Sequence, residues 1–445
     1  MKMIDYRRLL ALFSFVLISG CMPAVAPGSG AEAARAVSPL LVTCPAGSNG
    51  RMQCLEEQLL DSLRVHGIAS AMATLERMGA ADAEIRRDGH VYAHVIGLAA
   101  YSGPDEVGRA FAECTPAFQS GCYHGIIQSY FAELASSGAA AVTEAQVNGL
   151  CSDYRGDPDS TWLLFQCAHG MGHGLTMVEG YHLPSALAAC DLLSSPWETD
   201  ACHGGVFMES IINEVAPHHT GRPGQDEHGG HQAHAAGAGH AAPRPAPGDM
   251  DHDEHEHHEH GAAQAAGADR APFPALDPAD LHYPCSALDS RYKQSCYMMQ
   301  TSVVLHHTRG DFTAAAAMCD SAPTAHRETC YQSLGRDASS YAVQVHRKGL
   351  ELCAVGDRTL QRWCHVGYVK NVIDVTADPA DGFSYCRLVL AGDAKDHCYR
   401  AVGQQIYVLA GSPEARAAHC ANAEAGYEAQ CRAGADLGEQ PITAR

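Results

Sequence analysis

The sequence predicts an all-α protein: a disulfide-stapled, α-solenoid-like array of helical repeats, interrupted by a histidine-rich insertion expected to be disordered. Three observations carry this. The chain has 19 cysteines, and those of the C-terminal half fall into close pairs whose first members recur at 285, 319, 353, 386 and 420, in steps of 34, 34, 33 and 34. Self-similarity at a fixed period marks a repeat architecture, and about 34 residues hold two helices and two turns. Apolar residues recur at helical spacing through LEEQLLDSLRVHGIASAMATLERM, residues 55–78, and no stretch alternates as a half-buried strand does.

Taken from the start, the chain opens with Lys2, Arg7 and Arg8, an apolar run from Leu9 to Ile18, and then Ile18-Ser19-Gly20-Cys21. The run is too short to be a permanent membrane span, so residues 1–20 read as a signal peptide. The motif before Cys21 resembles the lipobox of bacterial lipoproteins. That resemblance implies cleavage before Cys21, lipidation of Cys21 and attachment to a membrane through the lipid. Met22, where Asp would favour the inner membrane, implies the outer one, with the protein facing the periplasm or the cell surface. An ordinary secretory signal with Cys21 by coincidence is the alternative. Residues 21–43, rich in Ala, Gly and Pro, read as a flexible tether.

Composition narrows the function. Hydrophobic residues make up 46% of the chain, enough for a core, and the formal net charge of −21 argues against a nucleic-acid partner, whose phosphates it would repel. Beyond Cys21 the cysteines number 18, which in an exported chain reads as disulfides. The simplest pairing joins sequence neighbours: Cys44 with Cys54, Cys114 with Cys122, Cys151 with Cys167, Cys190 with Cys202, Cys285 with Cys296, Cys319 with Cys330, Cys353 with Cys364, Cys386 with Cys398, and Cys420 with Cys431. Connectivity itself stays open at this level.

Each unit has one plan. An Ala-rich stretch runs into the first cysteine, as in DFTAAAAMC and SPEARAAHC, and the second cysteine opens another amphipathic stretch, as in CYRAVGQQIYVLAG. A bridge would then join the end of one helix to the start of the next. This plan resembles the tetratricopeptide and Sel1-like class of α-solenoids, especially its cysteine-rich secreted members. The likeness is close over 284–432 and loose over 105–216, and rests on period and cysteine pairing, since the Trp-Leu-Gly-Tyr pattern of tetratricopeptide repeats is absent. It implies a face that could receive a protein partner. The expected organisation is an N-terminal helical His/Cys domain over 44–216, a loop over 217–283, C-terminal repeats over 284–432 and a tail over 433–445.

The chemistry is expected in the N-terminal part. There histidine follows the second cysteine, in Cys122-Tyr123-His124, Cys167-Ala168-His169 and Cys202-His203. The C-terminal units hold Tyr297-Met298, Tyr331-Gln332, His365-Val366, Tyr399-Arg400 and Arg432-Ala433 at those places, so the scaffold does not require histidine. Equivalent positions in stacked repeats face one side. His90 with His94, and His169 with His173, are each four apart, and residues at i and i+4 share a helix face, which suits two ligands on one ion. Val91 and Gly170 stand where a zinc protease has its glutamate, which excludes that class. His90, His94, His124, His169, His173 and His203 are thus the candidate ligands for a divalent transition metal (zinc, copper or iron). Met171, Met177 and Met208 in the shell would favour copper, Glu179 and Glu209 zinc or iron. Against this, packed or exposed histidines account for most such pairs, and the glycines around His169 and His173 also serve close helix packing. Bis-histidine haem ligation stays open, but without Cys-x-x-Cys-His a c-type haem is excluded.

The loop adds a second signal. Residues 218–260 hold 11 of the 27 histidines and end in MDHDEHEHHEHG, with His252, His255, His257, His258 and His260. Such a tract resembles the histidine loops of periplasmic zinc- and nickel-binding proteins and implies weak, reversible metal capture; a solvating linker or an acid sensor is the alternative. Trp162, Trp197 and Trp363 read as packing residues. Three functions follow: a metal-binding lipoprotein for acquisition, storage or tolerance; an enzyme using the same histidines around an open metal position, with Glu179 or Glu209 as acid/base; or a scaffold for protein partners.

Overall fold

A computed structural model describes residues 44, 50–137, 142–157, 160–215, 273–274, 276–343 and 345–436. Cys21, the signal and tether, and the histidine-rich tract with His252, His255, His257, His258 and His260 lie outside the described residues. The described chain is all-helical.

In the N-terminal half the helices are α1 (Arg51–His66), α2 (Ile68–Ala81), α3 (Ala83–Ala100), α4 (Val107–Glu113), α5 (Gly121–Ser136), α6 (Glu144–Leu150), α7 (Thr161–Val178), α8 (Leu183–Cys190) and α9 (Pro196–Val215). The C-terminal half continues with α10 (Ser290–Tyr297), α11 (Gln300–Thr308), α12 (Phe312–Ser321), α13 (Arg327–Ala342), α14 (His346–Leu352), α15 (Gln361–Thr376), α16 (Pro379–Leu388), α17 (Asp393–Leu409), α18 (Pro413–Cys420) and α19 (Glu428–Asp436). Local chemistry sets several starts. The carboxylates of Asp82, Asp311 and Asp378 accept from first-turn amides of α3, α12 and α16, and Thr143 with Gln146 forms a capping box on α6. Among the described residues no helix is long and apolar enough to cross a membrane.

All nine neighbouring cysteine pairs are bridged, with Cα–Cα separations from 5.4 to 5.9 Å. From Cys319–Cys330 onward each bridge ties the end of a short helix to the first two turns of the next one, whereas Cys285–Cys296 joins the turn before α10 to the end of that helix. Closing a loop of about a dozen residues contributes roughly 3 kcal/mol through the unfolded chain, a substantial gain for helices whose buried faces are rich in alanine and glycine.

The long helices lie side by side in chain order, α3 on α5, α5 on α7 and α7 on α9, then α13 on α15, α15 on α17 and α17 on α19. Between the two runs α10 and α11 touch both α9 and α13, so the row continues across the insertion. The first and last crossing of each run is a glycine pair: Gly97 on Gly125, Gly172 on Gly205, Gly335 on Gly367 and Gly403 on Gly434. A Cβ on Gly97 would overlap the Cys122 carbonyl, and one on Gly205 the His169 carbonyl. Only glycine lets these backbones meet.

The row also curls back on itself. Helix α7 touches α17, and the amides of Phe118 and Gln119 donate to the carbonyls of Val375 and Asp374 at 2.9 and 3.1 Å. The two halves therefore share one compact unit, with a cavity between them.

Candidate metal centre

Three neighbouring helices bring five imidazoles together. His90 and His94 share one face of α3, His169 and His173 one face of α7, and His124 on α5 stands between them. Ring centroids are 4.6 Å apart for His90 and His94, 5.1 Å for His169 and His173, and from 4.7 to 5.6 Å from His124 to the other four. Two triads result, His90–His94–His124 and His124–His169–His173, each with its ligand nitrogens within 4.8 Å of one another. With metal–nitrogen bonds of about 2.1 Å, small ring rotations suffice to close either triad on one ion. Each His124 lone pair serves one ion, so the triads compete for it.

Each ring is held from behind. His90 Nδ1 donates to the Phe118 carbonyl at 2.9 Å, and His169 Nδ1 to the Ala201 carbonyl at 3.2 Å. A carbonyl only accepts, so the proton is on Nδ1 and Nε2 carries the lone pair. His173 Nδ1 lies 2.8 Å from the buried carboxylate of Glu209. That carboxylate also accepts from Gln128 Nε2 at 3.4 Å, which turns Gln128 Oε1 to His94 Nδ1 at 3.2 Å. For His124 the roles reverse: Nε2 meets Gln166 Oε1 at 3.2 Å, leaving Nδ1 for the centre. His124 Nδ1 and His173 Nε2 are buried without a hydrogen-bond partner among the described residues. Orphaned acceptors of this kind are costly in an apo core, and a cation satisfies them. An acceptor behind each imidazole is the arrangement that orients histidine on a metal.

The electrostatics agree. Burial, then the neighbouring His173, His169 and His90, holds His124 well below the ordinary histidine range. Burial and then His173 bring His169 down to about 3, against the opposing bond to Ala201. Both are neutral ligands at physiological pH, with no proton for an ion to displace.

A strained turn supports the site. Phe118, Gln119 and Ser120 have φ of 55°, 52° and 62°, three consecutive non-glycine residues in the left-handed region. A bulky Phe there is an outlier. The turn aims the Phe118 carbonyl at His90 while its amide reaches Val375, and the Phe118 ring fills the space over Gly79 and Gly89.

Of the six histidines expected as ligands, His203 does not join. It follows Cys202 directly, whereas His124 and His169 stand two after their cysteines, and one residue is a turn of about 100° on a helix. The position right after the second cysteine is a core position, occupied by buried Tyr123, Tyr297, Tyr331 and Tyr399 elsewhere. His203 Nε2 meets Asp191 Oδ1 at 3.0 Å, as Tyr331 donates to Asp320 at 2.6 Å in a later repeat. Its role is therefore that of the repeat's structural tyrosine.

The expected auxiliary ligands change as well. Met171 is buried in the core and Glu209 is engaged behind His173, not at the ion. Met177 and Glu179 belong to neither triad. Met208 lines a cavity of about 300 Å³ that reaches His124 and His169. Trp162 and Trp197, expected to pack, line it too. The sequence reading missed Gln128, Gln166 and Glu209 as supports; Gln128, one turn after His124, was the findable one. No family model, curated protein or solved structure matches the chain.

Proposed function

We propose that the protein is an exported metal-binding lipoprotein, anchored in the cell envelope through Cys21. His90, His94, His124, His169 and His173 hold one divalent transition metal, zinc, copper or iron, and the histidine-rich tract over 218–260 collects it. One observation carries the reading: five imidazoles converge, each with one nitrogen engaged by a fixed acceptor. The nitrogen-only donor set suits zinc, copper or iron, and it leaves no carboxylate or thioether to decide among them.

The test is metal content by mass spectrometry, on the full chain and on a chain lacking 218–260, each oxidised in a periplasm. One tightly held ion per shortened chain is expected. His169→Ala with His173→Ala should lose it, and Gln332→Ala with Arg336→Ala, at the matching crossing of the other half, should keep it. An ion retained by that variant would sit in the His90–His94–His124 triad, and one retained when His124→Ala is added, which removes the ligand shared by both triads, would refute the centre.

A second reading, a metal-dependent enzyme, is favoured by the cavity that reaches His124 and His169. It would leave one side of the ion open to a substrate or water. Glu209 is then a positioning residue for His173, and the acid/base would have to come from the cavity wall.

A further inference from the structure

The cavity between the halves has a wall that the metal reading does not use. Trp162, Phe165 and Trp197 form an aromatic strip along it, with ring centroids 6.3 Å apart for Trp162 and Phe165 and 6.0 Å apart for Phe165 and Trp197. Met208 and Met298 line the same space, and thioether sulfur packs favourably against aromatic rings. The charges of the lining are matched from within. Lys370 and Asp374 stand one turn apart on α15, and each favours the charged form of the other against burial. Arg336 is paired with the adjacent Asp337 at 2.7 Å, and Asp200 is exposed to water. Two polar atoms of the lining are buried without a hydrogen-bond partner among the described residues, Asn371 Oδ1 and Ser120 Oγ, on residues 4% and 2% exposed. Their segments are joined, since the amide of Gln119 donates to the carbonyl of Asp374, one turn past Asn371, at 3.1 Å.

Orphaned polar atoms are unfavourable in an empty cavity, and an apolar pocket with a few convergent polar groups is the usual form of a small-molecule site. The chemistry of the lining selects the ligand. An anion would meet Asp374 and the acceptor Asn371 Oδ1, and a cation would meet Lys370 and Arg336, so either would lose its hydration without gaining a free counter-charge. An amide oxygen only accepts and so calls for a donor, and a hydroxyl can donate to it while accepting from Ser120 Oγ. We infer that the cavity binds an uncharged aromatic alcohol or phenol, its ring against Trp162, Phe165 and Trp197 and its hydroxyl on Asn371 Oδ1. The volume of about 300 Å³ suits a ligand of one ring. The inference goes beyond the metal reading, because none of these residues is a ligand of the histidine centre.

Fluorescence reads the site directly, since two of the three tryptophans line the cavity while Trp363 packs on His397. The probes share a nitrobenzene ring, which quenches indole: 4-nitrobenzyl alcohol, 4-nitrotoluene, which lacks the hydroxyl, and the anion 4-nitrobenzoate. The full chain is titrated both loaded with metal and stripped by a chelator, with metal content measured on each sample. Saturable quenching by the alcohol at a concentration about tenfold lower than by either of the others is expected, a difference of about 1.4 kcal/mol. Asn371→Leu should abolish the preference for the alcohol over 4-nitrotoluene while 4-nitrotoluene still binds; if it unfolds the chain, Asn371→Ala replaces it. No saturable quenching, equal affinity for the alcohol and 4-nitrotoluene, tightest binding of the benzoate, or a preference that survives loss of Asn371 would overturn the inference. Bound metal with no preference for the alcohol would leave the metal reading standing alone. An Asn371-dependent preference in a chain that never holds metal would do the reverse.

Discussion

The two halves of the molecule use the same backbone crossing for different chemistry. His94 and His169 sit where Gln332 and Arg400 sit in the C-terminal half: the carbonyl of each lies against the opposing glycine, at Gly125, Gly205, Gly367 and Gly434. One residue past the glycine on the first helix, His173 corresponds to Arg336 and Gln404. Bridges, crossing glycines and buried tyrosines recur in both halves, so they belong to the scaffold. What differs is confined to the positions that face the shared interior, imidazoles on one side and an amide, guanidinium and ammonium on the other. Site chemistry in this fold is therefore set by a few residues per repeat that stability does not dictate.

The largest expected consequence is acid sensitivity concentrated in the N-terminal half. His124 and His169 are held neutral by burial, His169 down to about 3, while the unfolded chain titrates near the ordinary 6.5. Below pH 6.5 the unfolded state takes up protons that the folded state refuses, so stability falls with acid. A group that stays neutral contributes at most about 1.4 kcal/mol per pH unit, so His169 costs roughly 1.5 kcal/mol between pH 6.5 and 5, and His124 adds in the same direction. Denaturant unfolding of the metal-stripped chain should show this loss, and His124→Gln with His169→Gln should remove that part of the slope. His365, lowered by burial to about 4, contributes alike to both proteins. An unchanged slope in the variant would mean that the packed imidazoles are not the acid-sensitive element.

Next come the glycines. Gly205→Ala and Gly367→Ala place a Cβ against a backbone carbonyl, of His169 and of Gln332 respectively. Backbone cannot rotate away, so each should lower stability by about 3 kcal/mol, the upper end of ordinary overpacking. The halves should differ in one respect. Gly205→Ala displaces His169 and should weaken metal binding, whereas Gly367→Ala should leave it unaltered. Equal metal loss in both would show that the centre responds to general destabilisation and not to the local crossing.

Much of this was readable in the sequence for physical reasons. Period and cysteine spacing predicted the helices, and the nine bridges follow the simplest pairing of sequence neighbours, which the sequence alone left open. Helical periodicity placed His90 with His94 and His169 with His173. His203 was misplaced because its cysteine was counted as the landmark without the one-residue offset, although Tyr331 and Tyr399 in that column marked it as core. The turn at Phe118–Ser120 left no trace, since no glycine signals its left-handed backbone. The cavity was also hidden, because Trp162 and Trp197 meet Arg336 and Lys370 only when the row of helices curls back.

The smallest expected effect separates two buried acids that look alike. Glu209 lies behind His173 and Gln128, and Asp337 accepts from Thr301 and Ser302 beside Arg336. Glu209→Gln keeps the shape and an acceptor for His173 Nδ1 but removes the charge that makes the imidazole a stronger donor to an ion. Supporting residues of this kind are worth about 10- to 100-fold in metal affinity. A loss in that range, with the thermal midpoint of the metal-free chain little changed, is expected from competition with a chromophoric chelator. Asp337→Asn should do the opposite, lowering the midpoint by disturbing the hydroxyl network while leaving affinity alone, because no imidazole of the centre touches it. If both acids moved affinity equally, the metal would be sensing the whole interior rather than the N-terminal triads. If neither did, Glu209 would be a structural acid like Asp337, and the orientation of His173 would rest on packing alone.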